Sequence, residues 1–128
     1  MHTVIETSVF IRDAARAGIA DEERSKIIDL IASNPVAGDL IPGTGGARKL
    51  RVAGRGKGKS GGFRVVTYYA AEDVPVLMLA VIDKGERADL SKAEQNELKK
   101  ELAGAASDYR ASVKRMVAIM SATWRDER

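Results

Sequence analysis

The 128-residue sequence predicts one compact α+β domain, in which a twisted antiparallel sheet carries an N-terminal helical hairpin and is followed by a C-terminal helix. Two stretches of helical periodicity come first, three strand patterns with short links follow, and a capping motif opens the last helix. Hydrophobic residues at 45% and charged residues at 30% are typical of a globular chain and argue against disorder.

The N-terminal third predicts a strand and two antiparallel helices joined by a tight turn. Residues 2–6 are short and β-branched, which favours an opening strand. Thr7 or Ser8 can cap a first helix that ends at Gly18, and Asp21 is the predicted N-cap of the second. The buried stripe of this second helix is predicted at Ile27, Ile28, Leu30 and Ile31.

Three strand patterns follow an irregular connection over residues 34–46, which is rich in proline and glycine. They cover residues 48–52, 63–70 and 75–82. A glycine-rich basic loop over residues 54–62 joins the first two strands, and a tight turn joins the last two. Short links of this kind predict an antiparallel meander with the helices on one face.

The C-terminal third opens with a capping box at Ser91 and Glu94, and Gly104 kinks or divides the helix that follows. We predict a compact domain over residues 1–110 and a helical extension or tail over residues 111–128. The apolar stripe of this helix is predicted at Leu98, Leu102, Ala105, Tyr109, Val113 and Met116 or Val117.

Several functional classes are excluded by what the sequence lacks. With no cysteine there is no disulfide, thiolate zinc site or cysteine nucleophile, and the only histidine, His2, lies at a terminus that we expect to fray. Ala53 stands where a phosphate-binding P-loop needs its first glycine. No apolar run is long enough for a bilayer and no signal-peptide pattern is present, so we expect a cytoplasmic protein without membrane contact, cofactor or metal.

The excess positive charge is confined to residues 47–64, which hold seven basic residues, five glycines and no acidic residue. Strand alternation places Lys49 and Arg51 on one polar face, and Arg64 joins them if the register permits. Such clustering favours a polyanion-binding surface. The alternative is a solvated basic face that serves only solubility.

A polar loop follows the last strand. In this loop Lys84, Glu86 and Arg87 are candidates for a site at the end of the sheet, whereas we interpret Asp83 and Asp89 as solvated loop residues. Cleavage of RNA by its 2′-hydroxyl needs in-line geometry, stabilisation of a dianionic phosphorane and two proton transfers. Lys49 and Lys84 are candidates for proton transfer, because neighbouring cations favour release of a proton.

Several short segments follow one another along the chain: Asn34-Pro35, GTGG at 43–46, RKLR at 48–51, GKSGGFRVV at 58–66, LAVI at 79–82 with Lys84-Gly-Glu86, and Asp89-Leu-Ser91. Taken in this order, they resemble the RelE/ParE toxin superfamily, and more narrowly the RelE-like HigB toxins of bacterial type II toxin–antitoxin modules. The resemblance covers roughly residues 2–110.

The resemblance implies a RelE-like fold and an endoribonuclease that cuts mRNA in the ribosomal A site. The sequence shows no acidic cluster that could hold magnesium, which predicts cleavage without a metal ion. The resemblance also implies inhibition by a cognate antitoxin, expected to be a HigA-like DNA-binding protein. Family members commonly place an arginine near Gly85 and a tyrosine near Ser91, and neither stands here. The resemblance assigns catalysis to Lys49, Arg51, Arg64, Lys84 and Glu86. The basic stretch and the loop after the last strand add the predicted RNA-binding residues Arg48, Arg55, Lys57, Lys59 and Arg87.

Two other functions fit the same sequence. One is a ParE-like inhibitor of DNA gyrase, which shares the fold but has no ribonuclease activity. The other is a toxin-like domain that only binds nucleic acid or an antitoxin.

Overall fold

A computed structural model of the protein describes residues 1–54, 58–83 and 89–126. Nine helices and strands occur in these residues. In chain order they are β1 (Val4–Glu6), α1 (Ser8–Arg16), α2 (Asp21–Ser33), β2 (Asp39–Leu40), β3 (Ala47–Gly54), β4 (Gly58–Tyr68), β5 (Val76–Asp83), α3 (Lys92–Leu102) and α4 (Ala105–Asp126).

The five strands form one sheet in the order β1-β5-β4-β3-β2. The predicted antiparallel meander is confirmed for β3, β4 and β5. At one edge, however, β1 pairs in parallel with β5, with Val4 opposite Val76. The sheet is therefore mixed. The helical hairpin follows β1 in the chain and connects this edge strand to the opposite edge of the sheet, where β2 and the meander begin. The short strand β2 lies within the connection that was predicted to be irregular.

The helical hairpin covers one face of the sheet, as predicted. Thr7 caps α1 by accepting from the Phe10 amide, and its hydroxyl also donates to the Met78 carbonyl at 2.8 Å. In α2 the predicted cap is wrong by one residue, since Ala20 is the N-cap and Asp21 begins the helix. The predicted stripe of α2 is confirmed only in part. Ile27 and Ile31 are buried, Ile28 is partly buried and Leu30 is 49% exposed.

The opposite face of the sheet carries a smaller core under α3. Ile41, Ala47, Val66, Ile82 and Leu102 are buried there. The predicted capping box is confirmed: the Ser91 side chain accepts from the Glu94 amide, and the Glu94 carboxylate accepts from the Ser91 amide. The cap fixes the start of α3 just beyond the polar loop that follows β5.

Gly104 divides the C-terminal helical region, with a backbone φ of +82° that favours glycine. The predicted apolar periodicity continues beyond it, and every residue from 111 to 123 is exposed. Helix α4 is continuous across residues 110 and 111, where we predicted the compact domain to end. None of the described helices combines the length and apolar character needed to cross a membrane.

The glycine-rich segment predicted as a loop lies largely in strands, since β3 extends to Gly54 and β4 begins at Gly58. The β3–β4 register shifts between Val52 and Gly54. A Cβ atom on Gly62 would lie 2.3 Å from the Val52 carbonyl oxygen. Glycine at this position therefore permits the close approach of the strands.

The N-terminus is held in place by hydrogen bonds, so the expectation that it frays is wrong. The His2 amide donates to the Ala32 carbonyl at 2.8 Å, and its imidazole Nε2 lies 2.9 Å from the Val74 carbonyl oxygen. The ring also makes an edge contact with Tyr69, at a centroid distance of 4.9 Å. The only histidine thus has a structural role at the end of the sheet.

Candidate nucleic-acid interface

Strand pairing brings two arginines directly opposite each other. In the β3–β4 register Arg51 pairs with Arg64, and Lys49, two residues before Arg51, pairs with Val66. Because side chains alternate along a strand, Lys49, Arg51 and Arg64 leave the same face of the sheet, the one that carries Val66 and α3. The register therefore meets the condition that the sequence left open. We call these three residues the cation cluster.

The guanidinium of Arg64 lies in an unusual environment for a charged group. Arg64 is only partly exposed, and its Nη1 atom is buried without a hydrogen-bond partner among the described residues. Like charges directly opposite each other on adjacent strands are also destabilising, and Arg51 is that neighbour. Both features would be relieved by an anion that accepts from Arg64 between the two strands.

The third cation of the cluster has a carboxylate partner. Lys49 Nζ donates to Asp89 Oδ2, and Asp89 Oδ1 accepts from the Leu90 amide at 2.8 Å. The hydrogen bond from Lys49 holds the pKa of Asp89 below its usual value. The Leu90 amide and the positive charges of Lys49 and Arg64 act in the same direction, while partial burial opposes them. Asp89 therefore remains ionised at neutral pH beside the cluster.

The interpretation of Asp89 as a solvated loop residue was wrong. Lys49 was predicted to transfer protons because of the cations near it, and the neighbouring carboxylate of Asp89 was not predicted. The capping box at Ser91 was the available signal, because a helix that starts just beyond β5 holds the residues before its cap over the end of the sheet. Nothing in the sequence identified Lys49 as the partner, since the two residues are 40 positions apart.

Arg48 does not join the cation cluster. Alternation along β3 directs it to the hairpin face, where its Nη1 donates to the carbonyls of Val36 and Gly38 at 3.2 Å each. The prediction that Arg48 lies with the RNA-binding cations is therefore corrected. Its guanidinium secures the segment between α2 and β2.

The remaining predicted site residues are not placed by the structure. Arg55 and Lys57 lie outside the described residues, as do Lys84, Glu86 and Arg87. Lys59 lies in β4, but the position of its side chain is outside the description. Their assigned roles stay predictions.

Within residues 1–54, 58–83 and 89–126, no three His, Asp or Glu side chains are grouped so that they could hold a metal ion. The polar groups that the described site offers are cationic donors, together with the carboxylate of Asp89. Such a set suits a phosphate ligand.

Comparison with known proteins identifies the family of this chain. The fold is similar to that of a double arginine-to-alanine mutant of the E. coli toxin RelE in the free state, with a TM-score of 0.46 and 15% sequence identity over 67% of this chain and 86% of that chain. The family model described as the RelE toxin of the RelE/RelB toxin–antitoxin system matches residues 2–122, which is nearly the whole chain. The chain therefore belongs to the RelE toxin family.

Proposed function

We propose that this toxin is a ribosome-dependent mRNA endoribonuclease that inhibits translation, and that the cation cluster binds the scissile phosphate. The observation that supports this proposal most directly is the cross-strand pair of Arg51 and Arg64, with Lys49 next to it on the same face of the sheet. Phosphate is the anion that this arrangement fits best, because arginine presents planar paired donors to phosphate oxygens.

The buried Nη1 of Arg64 supports a bound anion at this position. Most buried donors in folded proteins have a partner, and leaving one unsatisfied costs about 1–3 kcal/mol. A non-bridging phosphate oxygen supplies the missing acceptor for Arg64.

The reaction proposed is transesterification. The 2′-oxygen attacks the adjacent phosphorus and loses its proton, the bond from phosphorus to the 5′-oxygen breaks, and that oxygen gains a proton. The products are a 2′,3′-cyclic phosphate and a free 5′-hydroxyl. Arg51 and Arg64 stabilise the doubly charged phosphorane with fixed donors, an electrostatic effect that is usually the largest single contribution to catalysis.

The proton transfers are assigned to the neighbouring polar groups. Lys49, oriented by Asp89, is the described candidate beside the cluster. Lys84 and Glu86 remain the other candidates for acid and base, and Arg55, Lys57, Lys59 and Arg87 remain proposed RNA contacts. Cleavage is proposed to be independent of metal ions.

Dependence on the ribosome accounts for a site with so few acid–base groups. Orientation of reacting groups alone can contribute about 7–11 kcal/mol, and a ribosome that holds the mRNA in line would supply this contribution. The proposal includes a HigB-like subtype, a HigA-like DNA-binding antitoxin and action in the cytoplasm. These details rest on the family resemblance of the sequence motifs.

The test is translation in vitro of one defined mRNA with the purified full chain, followed by primer extension. Discrete stops at A-site codons, absent when ribosomes are omitted, are the expected result. Arg64→Ala should remove the stops, and Arg48→Ala, on the same sheet but the other face, is the matched control. Intact mRNA together with linearised plasmid in a gyrase assay would replace this proposal with the ParE-like function. Intact mRNA without an effect on gyrase would leave only a binding function.

A further inference from the structure

Helix α4 presents an apolar surface that nothing in the described chain covers. Residues 111–123 are all exposed. Contiguous exposed apolar side chains mark interaction surfaces. Five large apolar residues lie on one side of this segment, and we call them the α4 stripe: Val113 (40% exposed), Met116 (61%), Val117 (56%), Ile119 (67%) and Met120 (62%).

An apolar groove of about 360 Å³ lies elsewhere on the molecule, between α1, β5 and α3. Leu79, Ala80 and Leu98 contribute apolar side chains to it, and Val9, which is 42% exposed, also lines it. We call it the α3 groove. Its shape and lining suit one face of an amphipathic helix, because helices commonly bind partner grooves through residues spaced three and four apart.

The charges of these two surfaces are complementary. Beyond Arg110, residues 111–125 contain three basic residues and no acidic residue. The described lining of the α3 groove includes three glutamates, Glu94, Glu97 and Glu101, and no cation. Charge complementarity of this kind selects the partner and its orientation.

The stripe cannot reach the groove of its own chain while α4 keeps its place. Arg110 makes a bidentate ion pair with Asp73, at 2.6 and 2.7 Å, which holds the first turns of α4 at the turn before β5. From Ala105 to Asp126 the helix is continuous, so the residues beyond Arg110 cannot fold back. The helix that fills the groove must therefore come from another molecule.

We propose that two copies of this chain form a dimer by exchanging their C-terminal helices, with the α4 stripe of each copy seated in the α3 groove of the other. The exchange forms the same contact twice and closes as a two-fold dimer. It covers the apolar side chains of the α4 stripe. This association does not depend on the proposed ribonuclease activity.

The first test is the mass of the purified full chain in solution over a range of concentrations. Wild type should be a dimer, twice the monomer mass of 13.8 kDa. Met116→Glu combined with Met120→Glu, and separately Val9→Glu, should each raise the dissociation constant at least about tenfold. Matched controls are Ala118→Glu, on the opposite side of α4, and Ile11→Glu.

Ile11 is the control for Val9 because it lies in the same helix, is 40% exposed and does not line the groove. All of the substituted side chains are exposed, so each variant should fold, which circular dichroism would verify. A wild-type chain that stays monomeric at every concentration would overturn the proposal. So would a dimer that Val9→Glu leaves intact.

The second test uses the absence of cysteine from this chain. A Val9→Cys chain mixed with a Met116→Cys chain and oxidised should give a covalent dimer of the two. An Ile11→Cys chain mixed with the same partner should give little. A Met116→Cys chain that crosslinks mainly to itself would show direct pairing of two α4 helices and contradict the exchange.

Discussion

The two faces of the sheet are formed by alternate residues of the same strands, yet they differ in composition and in what they can do. On the hairpin face Val65 and Met78 are fully buried with Phe10 and Ile31 of the helices. On the α3 face the apolar pattern is interrupted at Lys49, Arg51 and Arg64, next to buried Val66. The hairpin face therefore carries the larger core, and the α3 face combines a smaller core with three cations, of which Arg64 has a buried Nη1 without a partner among the described residues.

This division explains how a small domain can hold like charges so close together. Stability supplied by the hairpin core offsets the repulsion between Arg51 and Arg64 and the unsatisfied donor of Arg64. Local unfavourable arrangements of this kind are typical of functional sites. Substitutions on the hairpin face should consequently affect stability, and substitutions on the α3 face should affect activity.

The largest expected effect is on stability, from the hairpin face. Phe10→Ala removes a fully buried ring and should lower the free energy of unfolding by about 3–5 kcal/mol. Val9→Ala, in the neighbouring exposed position, should change it by less than about 1 kcal/mol. Urea denaturation followed by circular dichroism measures both, and similar losses in the two variants would contradict the assignment of the core to this face.

The next effect is on activity, from the α3 face. Arg51→Ala should lower the rate of mRNA cleavage by about 10²-fold, the usual loss when one fixed donor to the transition state is removed. Its unfolding free energy should stay close to wild type, because Arg51 is exposed. Arg12→Ala, on the exposed surface of α1, is the control that should retain activity.

A smaller effect is expected at the carboxylate of the cluster. Asp89→Asn removes the negative charge beside Lys49 and Arg64, so a non-cleavable RNA should bind about threefold more tightly at low salt. The gain should shrink as salt is raised. Weaker binding in this variant, measured by fluorescence anisotropy, would show that Asp89 is needed to position Lys49.

The smallest effect is the pH dependence of the stability that the Lys49–Asp89 pair contributes. The pKa of Asp89 is lower in the folded protein than in the unfolded chain, so the unfolded state takes up the proton first as the pH falls. The stability that Asp89 contributes is present above the unfolded pKa and is lost as pH falls through the folded pKa. The difference between wild type and Asp89→Asn should be below about 1 kcal/mol at pH 7 and vanish in strong acid.

Features that depend on neighbouring residues could be predicted from the sequence. Thr7 and Ser91 act as caps because an N-cap needs only its own helix, and alternation alone placed Lys49 and Arg51 on one face. The α+β class followed from the order of the helical and strand patterns. The positive φ at Gly104 likewise matches the predicted break.

Features that depend on distant packing could not be predicted. Parallel pairing of β1 with β5 joins residues 72 positions apart, and the Lys49–Asp89 pair joins residues 40 apart. Apolar periodicity in α4 identified its apolar side, but not whether that side packs against the same chain or another molecule. Arg48 was misplaced because a basic run was treated as one surface although alternate residues of a strand face opposite ways.

The most direct test of the central claim is the single-turnover rate at which ribosome-bound mRNA is cleaved by Arg64→Ala, compared with Arg48→Ala. Both variants lose one guanidinium, from opposite faces of one sheet. We predict a fall of at least about 10²-fold for Arg64→Ala and a rate near wild type for Arg48→Ala. Cleavage by folded Arg64→Ala at the wild-type rate would contradict the assignment of the cation cluster to the scissile phosphate.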